Sequence, residues 1–144
     1  MIESKYNLDM ISALQKIIEG QSPWDPIYEF ENTVFVVYPH AVFVDEINNY
    51  PSISVIHRGE RIEHLGGGVR LHRTVYEIRG YTHDESVEQA GESLASDIEH
   101  VFEHYRQWAD GEDYRITSIQ TDGGVLSPLG ICIITVEELK CLNS

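Results

Sequence analysis

"EHLGGGVRLHR", residues 63–73, sets three consecutive glycines between two runs that mix arginine, histidine and glutamate. Its reading decides the fold. A phosphate-binding loop would need a lysine followed by serine or threonine, with a helix starting there. Neither follows, and the G-x-G-x-x-G spacing of dinucleotide folds is also absent. A hairpin tip asks only for residues that accept positive φ at the centre of the turn, which glycine does at no steric cost. With Gly66–Gly67 as the two-residue loop and Gly68 beside it, Glu63 falls opposite Arg70, Ile62 opposite Leu71, and Glu60 opposite Arg73. Each such pair is worth roughly 0.2–1 kcal/mol. A three-residue loop would set His64 against Arg70 and Glu63 against Leu71, a poorer match. The pattern therefore predicts a long hairpin with arms 53–64 and 69–81.

The arms do not hold one phase. Leu71 is at an odd position while Tyr76 and Ile78 are even; Ile62 is even while Ile53 and Val55 are odd. Both slips fall near Gly59 and Arg73–Thr74, so a bulge near Gly59 is expected. The outer half then projects from the body as an arm.

Outward from the hairpin, Thr82-x-x-Glu85 fits a capping box, and Asp84 and Glu85 suit a helix N-terminus. Val87, Gly91, Leu94, Ile98, Val101, Tyr105 and Trp108 then recur at spacings of 3 and 4, predicting a helix of some 26 residues, roughly 39 Å long. Glu85, Glu88, Glu92, Glu99 and Glu103 share its far side within about 60°. No lysine follows any of them four positions on. A first helix is predicted over 7–19, capped by Asn7 and stopped by Gly20 before "QSPWDP". "TVFVVY" (33–38), "AVFVDE" (41–46), "YRITSIQT" (114–121) and "ICIITVEEL" (131–139) read as strands. The fold class expected is α+β: one domain over 1–144, a mostly antiparallel sheet with a long helix packed on it, an N-terminal helix and a projecting β-hairpin.

A chain of 144 residues, 42% hydrophobic and 24% charged, has the length of one globular domain. No apolar run approaches the ~18 residues of a membrane span, and the first twenty residues carry Glu3, Lys5, Asp9 and Glu19, so a cytosolic protein without a signal peptide is expected. Cys132 and Cys141 have no C-x-x-C spacing and read as reduced structural thiols. The net charge of −14 opposes a sequence-independent grip on DNA. The charge is lopsided, however. Arg58, Arg61, Arg70, Arg73 and Arg79 lie within 22 positions whose acids are Glu60, Glu63 and Glu77, a net of +2 against −16 for the rest. Such asymmetry points to a partner or to self-association.

Chemistry finds little foothold. His100 and His104 have the i, i+4 spacing of zinc helices, but Val-Phe-Glu stands between them and no third ligand is spaced to join. His57, His64 and His72 interleave with arginines without the aromatic residues that stack on bases. The acid pairs Asp45–Glu46, Glu112–Asp113 and Glu137–Glu138 are sequence neighbours that point to opposite strand faces. No nucleophile motif is present. The expectation is a non-enzyme with no cofactor and no metal.

The stretch "YPSISVIHRGERIEHLGGGVRLHRTVYEIRGYTHDE" leading into "SVEQAGESLASDIEHVFE", with the closing "ITSIQTDGGVLSPLGICIITVEEL", resembles the bacteriophage tail terminators, which cap the tail tube and join it to the head. The resemblance covers most of the chain and rests on its pattern of strand, helix and turn. It implies a ring, usually of six copies, stacked on the tail-tube protein below the head-side connector or stopper protein. DNA would pass transiently through the lumen, no membrane would be involved, and the place of action would be the virion tail-neck after synthesis in the host cytoplasm. On that reading Arg58, Arg61, Arg70 and Arg73 are expected at a subunit or tube interface. Glu85, Glu88, Glu92, Glu99 and Glu103 would line the lumen or face a partner, and Gly66, Gly67 and Gly68 form the hairpin tip. A related neck or tail-completion protein, such as a head-tail stopper, or less favourably a small metal-dependent enzyme, is the alternative.

Overall fold

The structure, a computed structural model, describes residues 14, 30, 34, 36–43, 46–84, 87–104, 113–121 and 128–143. Five strands form one sheet in the order β1-β2-β3-β5-β4: β1 is Val36–Tyr38, β2 Ser52–Gly66, β3 Val69–His83, β4 Asp113–Thr121 and β5 Leu129–Asn143. The short β1 runs parallel to β2; the other three pairings are antiparallel. One helix, α1 (Val87–His104), lies between β3 and β4 in sequence and packs on β3, β4 and β5.

The expected fold class needs correction. The described chain is mostly β-sheet, and α1 is a short helix rather than a long one under which the sheet is organised. Three strands have 15 residues each, about 50 Å of ribbon, whereas α1 has 18 residues, about 27 Å. A helix of that length covers only part of such a sheet. Tyr105 and Trp108, the last members of the expected stripe, lie outside the described residues, as does the predicted helix 7–19 except for a helical, fully buried Leu14. Thr82 is not a cap: it is a β3 residue whose hydroxyl donates to the Gly130 carbonyl at 3.4 Å. Of the expected strand 41–46, Ala41–Phe43 have no regular structure and Glu46 belongs to a turn, while Val44 and Asp45 lie outside the described residues.

Side-chain alternation explains where the core sits. Ile53 and Val55 of β2, Tyr76 and Ile78 of β3, and Cys132, Ile134 and Val136 of β5 point to one face and meet Leu94, Ala95, Ile98, Val101 and Phe102 of α1. Gly80 lets the two layers approach, since a Cβ there would stand 2.6 Å from both Cys132 Sγ and Leu94 Cδ2. On the opposite face a smaller cluster of Val42, Ile47 and Tyr81, with Tyr38, Tyr50 and Ile131 packed against it, covers one end of the sheet. Towards the other end this two-sided cover stops. Residues 57–66 of β2 are exposed or half-exposed, and 69–73 of β3 are all half-exposed.

The hairpin register also differs from expectation. The tip turn is Gly67–Gly68, closed by Gly66 opposite Val69, and φ is positive at all three glycines: 89°, 60° and 78°. One register irregularity lies between His64 and Gly66, and another between His57 and Gly59. The second is the bulge foreseen near Gly59, although Gly59 stands opposite Val75. Each irregularity adds one residue to β2, so the outer half follows the register judged poorer from sequence: His64 opposite Arg70, Glu63 opposite Leu71, Ile62 opposite His72 and Glu60 opposite Thr74. The charge matching survives on the diagonals, where Arg73 reaches Glu63 and His72 reaches Glu60.

The arm is wider than a hairpin. β5 runs beyond the expected 131–139 and stays paired with β3 to the tip, Asn143 opposite Val69. Three strands, not two, extend past the core.

Candidate assembly surface

The extension comprises roughly residues 61–66, 69–73 and 139–143. Its two faces differ. On the face that continues the α1 side, Glu60 lies between two imidazoles, 3.5 Å from His57 and 3.2 Å from His72. On the other face, Arg58 donates to Glu77 at 2.8 Å, and Arg79 donates to the same carboxylate. Burial pushes the Glu77 carboxyl up, but hydrogen bonds from Arg58 and Arg79, together with their charges, outweigh it and hold the group below the ordinary carboxylate range. Burial likewise lowers Arg79, and the bonds to Glu77 and Tyr81 outweigh it, so its guanidinium stays charged. Arg73 sits 3.7 Å from both Glu63 and Glu137.

Three of the five clustered arginines are thus committed within the chain. Arg61, opposite Arg73, and Arg70 make no ion pair among the described residues. The Nε of Arg70 is buried without a hydrogen-bond acceptor. Apolar side chains accompany them: Ile62 is 51% and Leu65 57% exposed. Leu65, the residue skipped at the irregularity before the tip, turns outward for that reason.

The helix presents a contrasting surface. Gly91, Leu94, Ala95, Asp97, Ile98, His100, Val101 and Phe102 are all buried. The described exposed positions of α1 are Gln89, Glu92, Ser96 and Glu103, a stripe about 60° wide at 100° per residue, with half-buried Glu99 at its margin. Glu92, Glu99 and Glu103 make no ion pair among the described residues. Glu88 belongs to the first turn of α1, and Glu85 lies outside the described residues.

His100 faces inward rather than flanking the stripe: its ring meets Phe30 edge-on, centroids 5.6 Å apart. No group of three or more potential metal ligands occurs among the described residues. A hollow of about 90 Å³ bounded by Tyr50, Pro51, Thr82, His83, Asp84 and Ala90 has room for roughly three waters. Cys132 is buried and Cys141 exposed, both as free thiols. No described helix is long and apolar enough to cross a membrane. Sequence reasoning missed two buried acids. Asp97 is fully buried on α1, and Glu138, next to the half-exposed Glu137, is 2% exposed on the core face of β5. Strand alternation separates the members of the Glu137–Glu138 pair, which is the signal that could have found the second.

The features that stand out are therefore surfaces: a sheet extension free of the second layer and a helix with one acidic stripe. Exposed surfaces of this kind suit a structural module that works through contacts rather than through a pocket. A family model described as Bacteriophage Tail Tube Terminator Protein matches residues 8–140, and the chain belongs to that family. It is a structural protein of the phage tail, and its place is with the tail tube. No curated protein matches the chain.

Proposed function

We propose that this chain, acting as a single domain, closes the end of the tail tube as a ring of six copies and joins it to the head-side connector. It has no catalytic role in this reading. The observation that carries it is the three-stranded extension, which runs past the core with Ile62 and Leu65 more than half exposed. Apolar residues held out on a rigid ribbon favour association. Arg70, on the face of the extension that continues the α1 side, supplies a cation for that contact, and Glu92 and Glu103 of a neighbouring α1 supply the anions. Arm against helix joins two different patches, and such a heterologous contact closes into a ring when its rotation permits. Glutamates of the stripe that stay outside the contact face the lumen, where like charge keeps passing DNA from adhering.

Sedimentation with and without tail-tube protein tests the reading. The expected species has six times the 16.4 kDa chain mass, in solution or on the tube. A protein that stays monomeric and leaves the tube unbound would refute it.

A further inference from the structure

Among the described residues the sheet ends in two unpaired edges. β1 covers only Ser52–Ser54 of β2, so the edge of β2 from Val55 to Gly66 has no neighbouring strand among the described residues. At the other end β4 is the last strand. An open edge is a row of N–H and C=O groups ready to accept another strand. Each edge is broken by an irregularity, at Arg58 in β2 and at Thr117 in β4. Gly59–His64 is the longest straight run of the open β2 edge, and β4 offers two four-residue runs, Asp113–Ile116 and Ser118–Thr121, of which the second carries the exposed Ile119.

We infer that Gly59–His64 and Ser118–Thr121 pair with each other between neighbouring copies, continuing the sheet from one chain into the next. Three observations converge. First, direction: β2–β3, β3–β5 and β5–β4 are each antiparallel, so β4 runs opposite to β2. A second copy laid beside β4 through its β2 edge, in the same sense, therefore forms an antiparallel ladder. Second, side-chain chemistry: each segment holds one exposed isoleucine, Ile62 at 51% and Ile119 at 44%. Both lie on the α1 side of the sheet, Ile62 opposite His72 in phase with Tyr76, and Ile119 opposite the core residue Ile134. Edge-to-edge joining preserves faces, so the two meet. Setting Ile62 against Ile119 also places Glu60 by Thr121, Arg61 by Gln120 and Glu63 by Ser118, with no like charges opposed.

Third, geometry. Within one chain Ile119 is level with Val55, through Ile134 and Ile78. Pairing it with Ile62 of the next copy offsets the copies by roughly 20 Å along the strands. Four strands per copy, β2, β3, β5 and β4, span about 19 Å across at 4.8 Å each. The ratio gives a strand tilt near 45°, at the upper end of the range typical of closed sheets. The stagger is thus of the size that bends a continued sheet round on itself.

This inference rests on the ring reading and is tested apart from it. The full-length chain with Cys141→Ser, to remove the exposed native thiol, is prepared with Ile62→Cys, with Ile119→Cys, and with both, then mildly oxidised and run on a denaturing gel without reductant. The double variant is expected to shift from 16.4 kDa into a ladder of its multiples, while each single variant stays at chain mass. Sedimentation of the same samples separates the cases. Rings without a ladder overturn the strand pairing and leave the ring standing. Cross-linking by a single variant overturns it as well, because like residues would then be meeting. Monomers in every sample, with or without tube protein, overturn both.

Discussion

Replacing Gly80 by alanine probes the closest approach between α1 and the sheet. The added Cβ would stand 2.6 Å from Cys132 Sγ, 2.6 Å from Leu94 Cδ2 and 3.2 Å from Leu94 Cγ. Comfortable carbon contacts begin near 3.5 Å, so the layers or the Leu94 side chain must yield by about 1 Å. Leu94 and Cys132 are fully buried, and neither can swing into solvent. Overpacking of this kind costs about 1–3 kcal/mol. In equilibrium urea unfolding at fixed protein concentration, Gly80→Ala should lower the midpoint by about 1 M with an unchanged slope, taking a slope near 2 kcal/mol/M. Leu94→Ala alone should cost about 2–5 kcal/mol by leaving a cavity. The double variant should cost less than the two singles together, by about 0.5–3 kcal/mol, because the alanine at 94 makes room for the one at 80. A Gly80→Ala midpoint equal to wild type, or strict additivity in the double variant, would refute the packing described.

Other outcomes follow from the extension. Gly67→Val forces a β-branched residue into φ near 60°, costing about 1–2 kcal/mol, and should speed amide hydrogen exchange across residues 61–72 more than around Ile78. Glu77 titrates below its unfolded value, so its pairing contributes stability above pH ~4.3 and loses it as pH falls through the folded value. The melting-temperature gap between wild type and Glu77→Gln should therefore be widest near neutrality and close in acid. Arg70→Glu should reduce the assembled fraction in sedimentation more than it lowers monomer stability, since Arg70 makes no ion pair among the described residues. Arg73→Glu is a poorer probe, because it sets a third carboxylate beside Glu63 and Glu137 and should destabilise the extension itself.

The sequence made the hairpin legible because its signals are local. Three glycines demand positive φ, and the phase slip between Ile53–Val55 and Ile62 reports a bulge near Gly59 within one or two positions. The register of the tip was not legible, since one skipped residue at Leu65 reverses every pairing and no local rule chooses which residue is skipped. The reach of β5 past Leu139 was hidden because Lys140–Asn143 holds no β-branched or aromatic residue to carry the strand pattern on. The balance of sheet and helix was misjudged because periodicity measures an element's own length, whereas the share of a sheet that a helix covers depends on tertiary placement. For the candidate surface, the five arginines were visible as a cluster. Which of them were already spent on Glu63, Glu77 and Glu137 depends on strand pairing across the sheet.

Electron microscopy of assembled tail tubes incubated with the protein bears most directly on the claim that this chain works by capping. Added density should occupy one end of each tube as an annulus whose lumen continues that of the tube. Density scattered along the tube wall, or tubes unchanged at saturating protein, would contradict it.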